Sequence, residues 1–453
     1  MKQLNVLPLV AIISGLMVGC GGGSGGGGGG GATPSDVVTL TFIQKVTTEL
    51  KPNDSCTLFG QVTENGVTTY TYARKAADVT VYIHDAVGNV VETKKPDANG
   101  ILRLDKYPLE QGSYITVIDS PSGYDPFYKA LSIQKKYLES QLIQVNRPQV
   151  DNCYTADSSP KHNTGFVLAT TQNVQADSYE FLSSRHNRGV VSSNLSEVEK
   201  NTDEEVLIKG YSNNTLSGYT FASKFGSASE PFIVALEQLD TDMNWSNQLS
   251  SDLESLKISV SKGKYSYSWY EPNVTIEEEF SISSLEKGFH YQAEGILSTG
   301  WKFKTVGQVD GTLDVNLPDS LVTHDVAPSI VKSGLNGIVD VKGVNSSNEL
   351  VVRAKYTQSV STPTIMTLEH VIVASPDNGV IIIPDLTGTG LASENPQSLT
   401  VDTYEFVNLS EGEIQSLLSQ YESTDAVAFV IKPSQKAQHD TDLRTLKYTQ
   451  LSR

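Results

Sequence analysis

Apolar and polar residues alternate along this chain in short runs, nearly always with a period of two. Val79-Thr80-Val81-Tyr82-Ile83 reads as a strand ending at the Gly88-Asn89 turn, and Val90 and Val91 open its partner. Asp97-Ala98-Asn99-Gly100 is a turn, because Asn and Gly tolerate positive φ, and it feeds the alternating Ile101-Leu102-Arg103-Leu104. Gln111-Gly112 reverses the chain into Tyr114-Ile115-Thr116-Val117-Ile118. Farther on, Tyr265, Tyr267 and Trp269 alternate with Ser266 and Ser268, so a strand there carries all three rings on one face. A period of 3.6 stands out near the C-terminus, where Ile414, Leu417, Leu418 and Tyr421 follow a Ser410/Glu413 capping box. The whole predicts an all-β protein of tandem β-sandwiches with a short C-terminal helix packed on a sheet.

The N-terminal stretch breaks this pattern. An apolar run from Val6 to Val18 lies behind Lys2, then come Gly19-Cys20 and a glycine tract from Gly21 to Gly31 interrupted only by Ser24. The run is shorter than the ~20 residues that span a bilayer, and Pro8 and Gly15 interrupt it, so it reads as an export signal. Leu16-Met17-Val18-Gly19-Cys20 resembles the lipobox of bacterial lipoproteins, with Met17 where that family usually has leucine. The resemblance implies removal of residues 1–19 and diacylation of Cys20. With no aspartate at position 21 it also implies sorting to the outer membrane, on its periplasmic face or at the cell surface. Residues 20–35 are mostly glycine and hold no large aliphatic or aromatic side chain. They are expected to be a flexible tether spanning about 20 Å.

Lipidation changes the cysteine count. With Cys20 acylated, Cys56 and Cys153 remain, in a compartment that oxidises thiols, and a Cys56–Cys153 disulfide is expected. Two separately buried free cysteines are the alternative. Closing a loop of this size contributes about 4–5 kcal/mol in the chain-entropy picture.

Residues 36–155 carry a second resemblance. Phe59-Gly60-Gln61-Val62, Ala77-Asp78-Val79-Thr80-Val81, Asn99-Gly100, Leu104 and Gly112-Ser113-Tyr114 follow one another as in the carboxypeptidase regulatory-like, or transthyretin-like, family. Its strands carry Gly-x-Val, Ala-x-Val and Gly-x-Tyr words in that order. The likeness implies a β-sandwich with no catalytic residues of its own, of a kind that accompanies enzymes, transporters and adhesins alike.

The remainder repeats itself. Ser227-Ala228-Ser229-Glu230-Pro231-Phe232-Ile233-Val234-Ala235-Leu236-Glu237 returns 132 residues later as Ser359-Val360-Ser361-Thr362-Pro363-Thr364-Ile365-Met366-Thr367-Leu368-Glu369. Upstream, Ile208-Lys209-Gly210 returns as Val341-Lys342-Gly343. Asp177-Ser178-Tyr179-Glu180-Phe181 has a further echo in Asp402-Thr403-Tyr404-Glu405-Phe406. Duplicated β units of this length predict two Ig-like or transthyretin-like sandwiches, 156–325 and 326–453.

Charge and chemistry narrow the function classes. The formal net charge of −18 becomes −19 once Lys2 leaves with residues 1–19, which makes nucleic acid and anionic lipid poor partners. None of His84, His162, His186, His290, His324, His370 and His439 stands at metal-ligand spacing from another, and the motifs His-Glu-x-x-His, Gly-x-Ser-x-Gly and the P-loop are missing. No enzymatic activity and no cofactor are expected. Asp240, Asp242 and Asn244 alternate like the start of a calcium loop, yet Trp245 stands where such a loop needs glycine and Ser251 where it needs a carboxylate. An acidic surface segment is the leading reading there. Tyr265, Tyr267 and Trp269 suit either core packing, which is favoured, or stacking on a saccharide. The leading reading is thus a non-enzymatic structural or interaction lipoprotein, anchored through Cys20 and meeting a protein or glycan partner. The second is a saccharide-binding or adhesive surface lipoprotein.

Overall fold

Side chains that alternate in sequence go to opposite faces of one long sheet. The computed structural model describes residues 37–64, 66–119, 127–145, 153–155, 162–248, 251–275, 279–309, 311–317, 321–333, 336–346, 350–361, 365–389, 391, 396–406 and 448–453. The lipobox, the glycine tether and the helix expected around residues 410–421 lie outside them. Among the described residues the chain is all β, with two short 3-10 turns at Lys135–Tyr137 and Thr387–Thr389. No described helix is long and apolar enough to cross a membrane.

Twelve strands form the central sheet. Their order is Tyr265–Tyr270, Ser251–Lys262, Phe289–Leu297, Lys302–Gln308, Tyr448–Ser452, Pro396–Phe406, Val351–Ser361, Ile365–Ala374, Phe127–Gln134, Tyr114–Asp119, Val81–His84 and Val90–Lys94. All neighbours run antiparallel except Phe127–Gln134 and Ile365–Ala374, which pair in parallel with Ala130 opposite His370. The sheet draws on all three segments distinguished in the sequence, and residues 37–453 form one unit.

Both faces of its middle are covered, so those strands are apolar in consecutive positions rather than alternate ones. Ile115, Val117, Ile133, Val351 and Val373 point to one face. There they meet Val38, Leu40, Phe42, Leu102 and Leu104 of a five-stranded sheet built on Val37–Thr48. Tyr114, Val352, Ala354, Tyr356, Ile372 and Ala374 point to the other. They meet Val339, Ile381 and Ile383 of the three-stranded sheet Ser329–Ser333, Asn336–Asp340 and Val380–Ile383, and Val341 just after its middle strand.

The far end of the central sheet packs against a second five-stranded sheet that includes Ser178–Ser183, Val206–Ser212 and Thr215–Ala222. Leu207 and Tyr219 of that sheet face Ile258, Trp269 and Phe289. Val206, Ile208 and Ala222 face the opposite way, onto Val167, Ala169 and Val198 of a three-stranded outer sheet.

The repeated sequence words have partly matching fates. The strand after Pro231, Phe232–Ala235, pairs in parallel with His162–Thr170, and the strand after Pro363, Ile365–Ala374, pairs in parallel with Phe127–Gln134. Tyr179-Glu180-Phe181 and Tyr404-Glu405-Phe406 are both in strands. Lys209 lies inside the strand Val206–Ser212, whereas Lys342 is in the turn after Asn336–Asp340.

Candidate functional site

The aromatic strand Tyr265–Tyr270 turns its three rings inward. Tyr265, Tyr267 and Trp269 are 3%, 3% and 1% exposed, so none offers a face on which a sugar ring can stack. Trp269 makes edge-on contacts with Tyr219 and Phe289 at centroid distances of 5.1 and 4.9 Å, and Tyr267 makes one with Phe221 at 5.5 Å. Each polar tip is also used. Trp269 Nε1 donates to the Ser281 carbonyl at 3.0 Å, Tyr267 Oη to the Glu205 carbonyl at 2.6 Å, and Tyr265 Oη to Asp203 Oδ1 at 2.6 Å. Burial, and then Asp203, push the Tyr265 phenol pKa upward. The row anchors the acidic 203–205 turn to the core. Core packing is the role the geometry gives it.

Asp240, Asp242 and Asn244 lie along an extended segment formed by the strands Thr241–Met243 and Trp245–Asn247. Met243 and Trp245 are buried while the three polar residues face out. Side chains two residues apart on extended chain share one face at a spacing of about 6.7 Å. Both carboxylates already accept hydrogen bonds from a neighbouring segment. Ser281 Oγ donates to Asp242 Oδ1 at 2.7 Å and the Ser284 amide to Asp240 Oδ1 at 2.7 Å. The Ser284 bonds hold the Asp240 carboxyl below the usual carboxylate range.

Cys56 and Cys153 are joined as a disulfide, with Cα atoms 5.1 Å apart. Backbone pairing places Cys153 there, since it bridges Arg74 and the Tyr154 amide donates to the Ala73 carbonyl at 2.9 Å. The bond ties residues 153–155, already paired with the strand Val67–Lys75, to Cys56, 97 positions earlier in the sequence. Cys20 lies outside the described residues.

Sequence reasoning did not anticipate two buried polar assemblies. In the first, Lys209 Nζ sits 2.7 Å from Glu180 Oε2 and donates to the carbonyls of Ser268 and Trp269 at 3.2 and 3.1 Å. Tyr211 Oη donates to the same carboxylate at 2.8 Å. Burial pulls the Lys209 pKa down, and Glu180 opposes it. This pair ties the sheet of Val206–Ser212 to the backbone of the aromatic strand.

The second assembly crosses five adjacent strands of the central sheet, one residue per strand. Tyr356 Oη is 2.9 Å from His370 Nδ1, His370 Nε2 is 2.7 Å from Ser132 Oγ, and Ser132 Oγ is 2.7 Å from Thr116 Oγ1. Thr116 Oγ1 is 3.3 Å from His84 Nδ1, and His84 Nε2 is 3.0 Å from the Asp385 carbonyl oxygen. His84, Thr116, Ser132 and His370 are all 0% exposed. Ser132 and His370 stand at the spacing of a nucleophile and its base, with Tyr356 behind the imidazole, and both are fully buried. Burial pushes the His370 pKa down to about 3, and the nearby His84 adds to the effect.

A sequence signal for this assembly did exist. Thr116 and Ser132 are polar residues flanked by apolar ones, Ile115 and Val117 in one strand and Leu131 and Ile133 in the other, and His370 directly precedes the apolar run Val371–Ala374. What the sequence withholds is that the three meet, because Ser132 and His370 are 238 positions apart. No family model, curated protein or solved structure matches this chain.

Proposed function

We propose that this protein is a lipid-anchored lipoprotein of the outer membrane that acts as a non-enzymatic structural or interaction module. The observation that carries the reading is Leu16-Met17-Val18-Gly19-Cys20 followed at once by the Gly21–Gly31 tract. Two acyl chains on Cys20 make a stable anchor, and a tether of about 20 Å keeps the all-β body within reach of one membrane surface. The likeness of residues 36–155 to carboxypeptidase regulatory-like domains supports a scaffold role rather than a catalytic one. So does the sealing of the Ser132–His370 pair inside the sheet. The partner is a protein or a glycan, and the net charge of −18 argues against nucleic acid.

Metabolic labelling with a clickable fatty acid, followed by membrane fractionation, tests the anchor. The full-length protein is expected to take up label and sediment with outer membrane, and Cys20→Ala to lose the label. Equal labelling of both overturns the reading. Protease shaving of intact cells then places the body. Loss of the C-terminal region marks surface display, and protection until the outer membrane is opened marks the periplasm.

A further inference from the structure

The central sheet is open, and its two edges are treated differently. At one end lies Tyr265–Tyr270, where Lys209 Nζ takes up the carbonyls of Ser268 and Trp269. At the other lies Val90–Lys94, which pairs with Val81–His84 and, among the described residues, with no other strand. Val90, Val91, Glu92 and Thr93 are all exposed, Val91 by 62%. The backbone groups along the outer side of that strand are left to water or to another chain.

The strand is complementary to itself. A copy added by a two-fold axis normal to the sheet runs antiparallel to it, and opposed residues then share a face. A bulge at Val91, where Ile83 faces Glu92 and His84 faces Val90, leaves Glu92-Thr93-Lys94 as the regular part. With the axis at Glu92 or at Lys94, that residue meets its own like charge. With the axis at Thr93, Glu92 faces the partner's Lys94 and Lys94 faces the partner's Glu92. Opposite charges across a ladder stabilise the pairing, and like charges weaken it. Glu92 and Lys94 already meet within one strand, at 3.4 Å, and both remain partly open to solvent. A second copy joins two such pairs into a square of alternating charge.

We propose that Val90–Lys94 is a self-association edge, at which a second copy of this chain adds its own Val90–Lys94 antiparallel about Thr93 and continues the central sheet from one molecule into the next. The net charge of −18 sets whole copies against each other, so a contact between them has to bring cations to the seam. Lys94 does so, with the exposed Lys95 beside it. The pairing goes beyond the anchored-module reading and stands whether or not Cys20 is acylated.

The test is disulfide trapping in the full-length protein. At the axis, Thr93 and the partner's Thr93 lie about 5 Å apart at Cα, within the reach of a disulfide. After mild oxidation of the purified chain, Thr93→Cys is expected to run as a reducible dimer on non-reducing electrophoresis. Val91→Cys, displaced from the axis, and the parent chain are expected to stay monomeric. A monomeric Thr93→Cys chain, or a Val91→Cys chain that dimerises as fully, overturns the proposal. In the Thr93→Cys background, Glu92→Lys and Lys94→Glu are each expected to cut the trapped fraction several-fold, because each sets like charges in register. A one-to-one mixture of the two is expected to regain the dimer, and so is the double reversal that carries both. Unchanged trapping in the single variants, or a loss that neither the mixture nor the double reversal repairs, overturns the register and the proposal with it. So does a Thr93→Cys chain that, in cells, is trapped on a different protein and never on itself.

Discussion

Gly100 has φ +72°, and a Cβ placed on it would lie 2.7 Å from the Phe42 carbonyl oxygen and 3.0 Å from that of Ala76. The Phe42 amide donates back to the Gly100 carbonyl at 2.8 Å, so the turn is clamped against the Val37–Thr48 strand and cannot back away. Gly100→Ala is expected to lose about 3 kcal/mol or more in urea denaturation, from backbone strain plus overpacking. Gly263 is the control. It also has positive φ, at +62°, but faces open space, and its alanine variant should lose only about 1–2 kcal/mol. The need for glycine after Asn99 is legible in the sequence; the carbonyl pressed against it, 58 positions away in the chain, is not. His370 gives a second expectation at this scale. Its folded pKa of about 3 lies below the unfolded value of 6.5, so the unfolded chain binds the extra proton first. Stability is complete above pH 6.5 and falls as pH drops toward 3, by up to about 5 kcal/mol. Denaturation midpoints measured between pH 7 and 4 should decline less in His370→Gln than in the parent.

At the scale of elements, the aromatic strand shows how far pattern reaches. Alternation placed Tyr265, Tyr267 and Trp269 on one face, and the structure keeps them there. Which way that face turns depends on Leu207, Tyr219 and Phe289, contributed by strands remote in sequence. The Lys209–Glu180 pair behind it is the opposite case. Ile208-Lys209-Gly210 is conspicuous as a repeated word, yet nothing in it announces a buried ion pair, because Glu180 and the Ser268 and Trp269 carbonyls come from other strands. Glu180→Gln, which leaves the lysine buried without its counter-charge, should cost about 3–5 kcal/mol. The joint replacement Lys209→Met with Glu180→Leu should recover most of that loss, since an apolar pair of similar volume needs no partner. A double-mutant cycle followed by chemical denaturation decides it. Equal losses for the single and joint variants would show that the charge pairing contributes nothing.

For the molecule as a whole, the disulfide is the simplest lever. Reduction of Cys56–Cys153 should lower unfolding free energy by about 4–5 kcal/mol, read as a fall in the urea midpoint with the secondary-structure signal of the folded baseline retained. An unchanged midpoint would mean that the bond constrains neither state. The all-β class was legible from the period of two, and the disulfide from the count of cysteines. The merging of three sequence segments into one sheet was not, because register between strands a hundred or more residues apart leaves no mark in local pattern. That merging hinges on Tyr448–Ser452, which sits between Lys302–Gln308 and Pro396–Phe406 and hydrogen-bonds to both. A chain that emerges N-terminus first, as it does when it crosses a membrane, offers the two strands flanking this slot before the residues that fill it. Through that interval each presents a bare edge, open to a neighbouring chain or to the wrong strand of its own. How cleanly this sheet closes thus depends on residues 448–452 filling the slot before another strand does.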